Sequence, residues 1–316
     1  MQIKPIIPAD SGQLHRLWTN LLGSKWPISA AALAATLAIG SDEDKSLLLG
    51  LWQKRSLCGV VAAELTGAAS AALLFLAVDS AYQRQGLASR LMDELKKLLA
   101  ARGVQDISLG AGAEEPLWHG VPASLPAACQ FFGQAGFVFE EEMSYDLIQD
   151  ISKFQAPAGV FRCRDDHSVD FQALHRQDTA AIAKMLAFER EYFPAWHGYF
   201  EDAVVRKRSS DIVIAKRGDE IIGTALLSAG SDCPGEHWQE LLGPKLGAFG
   251  TLGVAPRQRE HGIGLALAAF VTETLRDRGV RNCFLHWTGL RDWYARLGYR
   301  VLEEYQMGTF QLREGG

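Results

Sequence analysis

The chain is short of the features that mark several protein classes. It has five cysteines in 316 residues, and no two form a CxxC pair or stand at ligand-like spacing from a histidine. That scatter argues against metal and redox motifs. Cys58, Cys129, Cys163, Cys233 and Cys283 are expected to be reduced core thiols of a cytoplasmic protein. Excess positive charge is also missing, since 32 Lys and Arg against 37 Asp and Glu leave a formal charge of −5. Proteins that track phosphate backbones carry basic surfaces, so no nucleic-acid partner is expected. Long apolar runs are absent too. AALAATLAI at 31–39 and AALLFLAV at 71–78 fall far short of the ~20 residues a spanning helix needs, so no membrane partner is expected. The opening MQIKPIIPADSGQLHRLW holds no uninterrupted apolar segment of the signal-peptide kind.

What the chain does have is length for two domains of ordinary size and a pattern that occurs twice. In the first half Asp10-Ser11 is expected to cap a helix, with an Ala-rich helix over 29–39. Strand-like runs follow at 46–52, 57–65 and 71–78, then a Leu-striped helix after Gly86 that ends at Arg102-Gly103. A strand over 104–112, a loop, the short helix PAACQFFGQ and a strand over 136–147 complete the half. QDISKFQAPAGV at 149–160 reads as the linker.

The same order then returns. Asp178 caps a helix over 179–193, and EYFPAWHGYF opens another. A hairpin over 211–229 turns at Arg217-Gly218-Asp219. GAFGTLGV is a strand, and the helix beginning GIGLALAAF ends at Arg278-Gly279. The strand RNCFLHW, the short helix LRDWYARLG and a final strand close the chain. The expected organisation is one module over 1–150, a linker over about 150–159 and a second module over 160–316. Gly86 and Gly262 lie 176 residues apart but Gly136 and Gly298 only 162, so the first half carries 14 more residues here, in AGAEEPLWHGVPAS.

The most informative stretches are FLAVDSAYQRQGLASRLM and TLGVAPRQREHGIGLA. In each, an apolar strand runs through a Gly-containing turn directly into a helix. That junction points several unpaired backbone N–H groups at one spot, at the positive end of the helix dipole, and so suits a phosphate. Both fit [RQ]-x-x-G-x-[GA], through Gln83, Gly86 and Ala88, and through Arg259, Gly262 and Gly264. ISLGAG at 107–112 looks like a nucleotide loop, but it lacks a third Gly and is followed by EEPLW rather than a helix start.

These strand–loop–helix junctions resemble the acetyl-CoA pyrophosphate loop of the GNAT acetyltransferase superfamily. That family's second landmark, an aromatic–Tyr–x–x–Leu–Gly–aromatic segment, is matched closely by WYARLGY at 293–299 and in part by FFGQAGF at 131–137. The resemblance covers nearly the whole chain as two modules in tandem. It implies an α/β fold, with a mixed, largely antiparallel central sheet flanked by helices in each module. It implies an N-acetyltransferase that takes acetyl-CoA and a small-molecule amine, acting as a monomer whose modules pack as a pseudo-dimer.

By the same resemblance, the cofactor would lie along the main chain of Leu76 and Val78, and of Leu252 and Val254. Its pyrophosphate would meet Gln83, Arg84, Gln85, Gly86, Leu87 and Ala88 in the first copy. In the second it would meet Arg259, His261, Gly262, Ile263, Gly264 and Leu265. Tyr294 would be the acid that protonates the leaving sulfur, and Phe132 stands at that position in the first copy. Catalysis is therefore expected in the C-terminal module. The open alternatives are catalysis in the N-terminal module, a non-catalytic acyl-CoA sensor, and a tRNA-dependent peptide ligase, against which the acidic balance speaks. No base is assigned. Neither AALLFLAV nor GAFGTLGV holds a carboxylate, and His286, Glu191, His197, Glu236 and His237 are the candidates.

Overall fold

Apolar runs bounded by turn residues become the central strands, and runs with a helical stripe become the helices that cover them. The structure, a computed structural model, describes residues 1–37, 45–113, 116–229 and 236–312, with only the backbone of Glu236 and His237. Cys233 lies outside the described residues. Two compact units are present. The first comprises Met1–Tyr145, Gly235–Leu241 and Glu303 onward; the second comprises Asp146–Pro234 and Leu242–Leu302.

The first unit contains β1 (Gln2–Pro5), α1 (Ser11–Leu21), α2 (Ala30–Thr36), β2 (Ser46–Gln53), β3 (Ser56–Leu65) and β4 (Ser70–Val78). It continues with α3 (Leu87–Ala100), β5 (Asp106–Leu109), β6 (Val121–Pro122), α4 (Pro126–Gln134) and the start of β7 (Val138–Asp150). Its sheet runs β1-β2-β3-β4-β5 and is extended by the C-terminal part of the chain's last strand, whose Phe310 pairs with Ile107. All these pairings are antiparallel except β4 with β5. One face packs on Leu91, Met92, Leu95 and Leu99 of α3. The other packs on Leu14, Leu17 and Trp18 of α1.

The second unit begins with the end of β7, then α5 (Cys163–His167), β8 (Val169–Ala173), α6 (Thr179–Tyr192), α7 (His197–Val205), β9 (Ile212–Arg217) and β10 (Glu220–Ala229). After α8 (Glu236–Leu242) come β11 (Leu246–Val254), α9 (Ile263–Asp277), β12 (Asn282–Thr288), α10 (Arg291–Ala295) and β13 (Arg300–Gln311). Its sheet runs β7-β12-β11-β10-β9-β8, with β11 and β12 parallel. Both units thus have the α/β architecture with a mixed, largely antiparallel sheet. α3 and α9 end alike: Gly103 and Gly279 take φ of 80° and 86°, and the next amides return to Leu99 and Leu275.

Local details differ from the sequence reading. Asp10 does not cap α1; its carboxylate accepts the Ile7 amide at 3.1 Å and closes a short 3-10 turn over Pro8–Asp10. Ser29 caps α2, accepting from Ala32, and Asp178 caps α6, accepting from Ala181 at 2.9 Å. The strand expected over 104–112 is only Asp106–Leu109, because Gly110 at φ 80° turns the chain beneath Trp118.

Candidate functional site

Each unit holds a fork where two parallel strands separate. β4 pairs with β5 from Ser70 to Leu73 and no further, and β11 pairs with β12 from Leu246 to Ala248 and no further. Beyond those points Phe75–Val78 and Phe249–Val254 run beside β3 and β10 on the other side, and among the described residues no pairing continues on the open side. A bulge drives the departure in each case. Leu74 is skipped in the pairing of β4 with β3, and Thr251 in β11 takes a φ of 45° beside an irregularity in the β10 register. The exposed strand edge offers N–H and C=O groups to an extended ligand, as in strand addition. Leu76, Val78, Leu252 and Val254 all lie on these stretches.

The loops that follow match residue for residue. Asp79 and Ala255 have φ/ψ of −50°/137° and −49°/136°, and a 3-10 turn follows each. Arg84 and Glu260 are left-handed at φ 59° and 69°, and Gly86 and Gly262 both at 73°. A Cβ at Gly86 or Gly262 would meet nothing within 4 Å, so each helix start is an open cradle. Leu87, Ala88, Ile263, Gly264 and Leu265 carry first-turn amides. Alternating left- and right-handed backbone at a helix start makes a concavity of N–H groups suited to an anion. Two expected anion ligands are otherwise engaged. Gln83 Nε2 donates to the Val78 carbonyl at 2.9 Å and Arg259 Nε to the Val254 carbonyl at 3.2 Å, so each ties its loop back to the strand end. Arg84, Gln85 and His261 are exposed, and the His261 ring stands edge-on to His167 with centroids 4.6 Å apart.

The second landmark sits at the fork. Tyr294 is buried against Phe249, the residue at which β11 leaves β12, with ring centroids 6.1 Å apart. Burial, and to a lesser degree Cys283, pushes its phenol well above the ordinary value, so it stays protonated through the neutral range. Tyr299 beside it is structural, its hydroxyl lying 2.9 Å from Thr272 Oγ1 and 3.1 Å from Cys283 Sγ. In the first unit Phe132 packs on Phe137 with the same ring arrangement and no hydroxyl.

The face opposite the phosphate-loop helix distinguishes the two units. In the first it is packed with Trp18, Trp26, Phe75 and Trp118, and Trp238 of α8 closes over them, leaving about 20 Å³. The 14 extra residues supply Trp118. In the second unit, register places Thr224, Leu226, Ala248 and Phe284 on one face, since Thr224 is opposite Gly253, Leu226 opposite Gly250 and Ala248 beside Phe284. His286, two residues beyond Phe284, shares that face, and its Nδ1 is 2.7 Å from Oδ1 of the buried Asp146. The same carboxylate accepts the Trp287 amide at 3.1 Å and holds Trp287 at a φ of 54°.

Glu189 of α6, which the sequence reading passed over, is fully buried on this face and accepts a hydrogen bond from Thr224. Burial pushes its carboxyl up to about 7, against a smaller lowering by the Thr224 hydroxyl. Its signal in the sequence was position: with Ile182 and Met185 it completes an apolar helical stripe. Glu191, one of the candidates from sequence, is exposed, and His197 lies 3.3 Å from Arg190. The side chains of Glu236 and His237 lie outside the described residues. Among the described residues no cluster of His, Cys, Asp and Glu suits a metal ion.

Comparison with known proteins agrees with this geometry. The family model described as acetyltransferase (GNAT) family matches twice, over residues 13–137 and 173–299. The chain belongs to the GNAT acetyltransferase family, as a tandem member with two modules, and its enzyme class is N-acetyltransferase. One similar solved structure is the GCN5-related glucosamine N-acetyltransferase region of a fungal multi-domain GH3 β-N-acetylglucosaminidase, with a TM-score of 0.85 and 23% identity. The match covers 98% of this chain and spans 38% of that one. A GCN5-related N-acetyltransferase from Sphaerobacter thermophilus matches with a TM-score of 0.71 and 17% identity, over 100% of this chain and 96% of its own. A tandem GNAT protein from the clavulanic acid biosynthesis pathway matches with a TM-score of 0.64 and 14% identity, over 100% and 99%. No curated protein matches the chain in sequence. Among the described residues no helix is long and apolar enough to cross a membrane.

Proposed function

We propose that the chain transfers the acetyl group of acetyl-CoA to a primary amine of a small molecule, and that the second unit performs the chemistry. The observation that carries this reading is the pair Tyr294 and Phe132. Both forks and both cradles are built, but only the second has a phenol where the strands part. The pantetheine arm of acetyl-CoA would lie along the main chain of Leu252 and Val254, with the pyrophosphate on the amides of His261 to Leu265. Tyr294 would then hold the proton the departing thiolate takes, a role typically worth ~10²–10⁴-fold. The first unit, its opposite face filled by tryptophan, would hold the same cofactor on Gln83–Ala88 without turnover. A cytoplasmic monomer fits the reduced cysteines and the paired modules. An amino sugar is a sensible first acceptor, because the fungal region named above acts on glucosamine and the aromatic rings Phe193 and Trp196 stack 5.0 Å apart beside this face.

Thiol release from acetyl-CoA is measured with glucosamine, spermidine and 2-phenylethylamine, alongside calorimetric titration. Tyr294→Phe should lower turnover ~10²-fold or more with acetyl-CoA affinity retained, Gly262→Glu should abolish turnover, and Gly86→Glu should spare it. Turnover that survives Gly262→Glu but not Gly86→Glu would move the chemistry to the first unit. Tight binding with no thiol release would make the protein a binding module instead.

A further inference from the structure

The proton that an acceptor ammonium must lose has no free destination on the strands of the fork, because β11 contains no titratable side chain and the His286 ring of β12 is bonded to the buried Asp146. Glu189 stands one layer below. Its carboxylate bonds Thr224, and Thr224 is paired across the sheet with Gly253, between Leu252 and Val254. The ring of Phe193, one helical turn after Glu189, fills the space a Cβ at Gly253 would need, so α6 is seated directly against the departing strand. Oε1 has its partner, but Oε2 is buried with none. A fully buried carboxyl oxygen without a partner is costly and calls for an explanation.

The first unit supplies a contrast. There Val60, opposite Ala77, occupies the place of Thr224 within a cluster that includes Trp18, Phe75 and Trp118, so no hydroxyl stands where Thr224 does. Among the described residues no charge is paired with Glu189 from a neighbouring element. α7 offers His197, which lies near Arg190 and Glu201, and β10 offers Glu220 only at its exposed end. Arg190 and Glu191 of α6 itself are exposed.

We propose that Glu189 is the proton acceptor for the amine substrate: Oε2 receives an ammonium proton while Thr224 holds Oε1. This rests on the reading that the second unit acetylates amines. One ammonium proton passes to Oε2, the nitrogen lone pair forms the bond to the acetyl carbon and the C–S bond breaks; the thiolate takes the Tyr294 proton, and the second proton leaving the nitrogen restores the Tyr294 phenol. A carboxyl poised near neutrality is matched to this exchange.

The test is the pH profile of kcat/KM for acetyl-CoA with whichever of glucosamine and 2-phenylethylamine turns over faster, with thermal unfolding as a check of the fold. Wild type should show an acidic limb near pH 7. Glu189→Gln should lose ~10²–10⁴-fold at pH 7 and lack that limb. With 2-phenylethylamine its activity should climb ~10²-fold by pH 9.5, as the neutral fraction of an alkyl amine of pKa about 10 grows. Thr224→Val, which removes a bond favouring the charged form, should move the limb upward. An unchanged limb in both variants would overturn the assignment and leave the acetyltransferase reading standing. A wild type that transfers no acetyl group would overturn that reading first, and the assignment with it.

Discussion

At the scale of single residues, burial separates groups that look alike in sequence. Tyr294 and Tyr299 are both buried aromatics of one motif, yet Tyr299 has two polar partners for its hydroxyl and Tyr294 faces the fork. Glu189 and Glu191 are two residues apart on one helix, one fully buried and the other exposed. The buried acid has a consequence for stability that is independent of catalysis. Its folded-state value is raised from 4.5 to about 7, so the native chain holds a proton there that the unfolded chain has released. Stability from this group is complete below about pH 4.5 and is lost as pH rises through about 7. The shift amounts to about 3 kcal/mol at the upper end. Glu189→Gln keeps the shape and never ionises, so it should unfold at a higher denaturant concentration than wild type at pH 8 and at the same concentration at pH 4.5. Urea titrations at the two pH values check this, and equal midpoints at pH 8 would contradict it.

Among the elements, those with strong periodicity were legible and those without were not. Apolar runs located β2, β3, β4 and β11 to within a residue or two, and Gly103 and Gly279 marked the ends of α3 and α9 through the left-handed φ they supply. β1, β8 and α5 are short; β1 is mostly exposed, and β8 alternates, Val169 and Phe171 inward and Asp170 outward, over only five residues. The cradles were legible because glycine takes φ 73° at a helix start with the least strain. The forks and the buried Glu189–Thr224 pair were not, because they depend on which strands are neighbours.

Thr251 shows what the fork costs. A β-branched residue at φ 45° is strained by about 1–3 kcal/mol, and its hydroxyl is buried without a partner. Thr251→Gly relieves both and should raise the melting temperature by a few degrees. If the strained hydroxyl or the rigid bulge orients substrate, KM for the amine or for acetyl-CoA should rise as stability does. A fall in melting temperature would show that the bulge is held by packing alone.

The whole molecule is a duplication in which the chain's order and the folded units do not coincide. Residues 303–312, last in sequence, belong to the first unit, and Asp146–Asp150, last in the first half, belong to the second. Tyr305 is completely buried in the first unit's core, and Phe310 packs on Phe137 with centroids 5.4 Å apart. Lys25 bonds Glu303 at 2.5 Å within the same unit. A fragment ending at residue 150 therefore lacks the strand that pairs with β5, the buried Tyr305 of its core and the Glu303 carboxylate bonded to Lys25. It exposes the edge of β5 to other chains, a template for aggregation. Expressed alone, residues 1–150 should be insoluble or fail to melt cooperatively. The same fragment with residues 303–312 joined through a flexible linker should recover a cooperative transition, and Tyr305→Ala in that fusion should cost about 3–5 kcal/mol, as for other large core aromatics. Circular dichroism melts of the three proteins decide the matter. A cooperative, monomeric 1–150 fragment would mean that the last strand is an ornament of the first unit rather than part of its core.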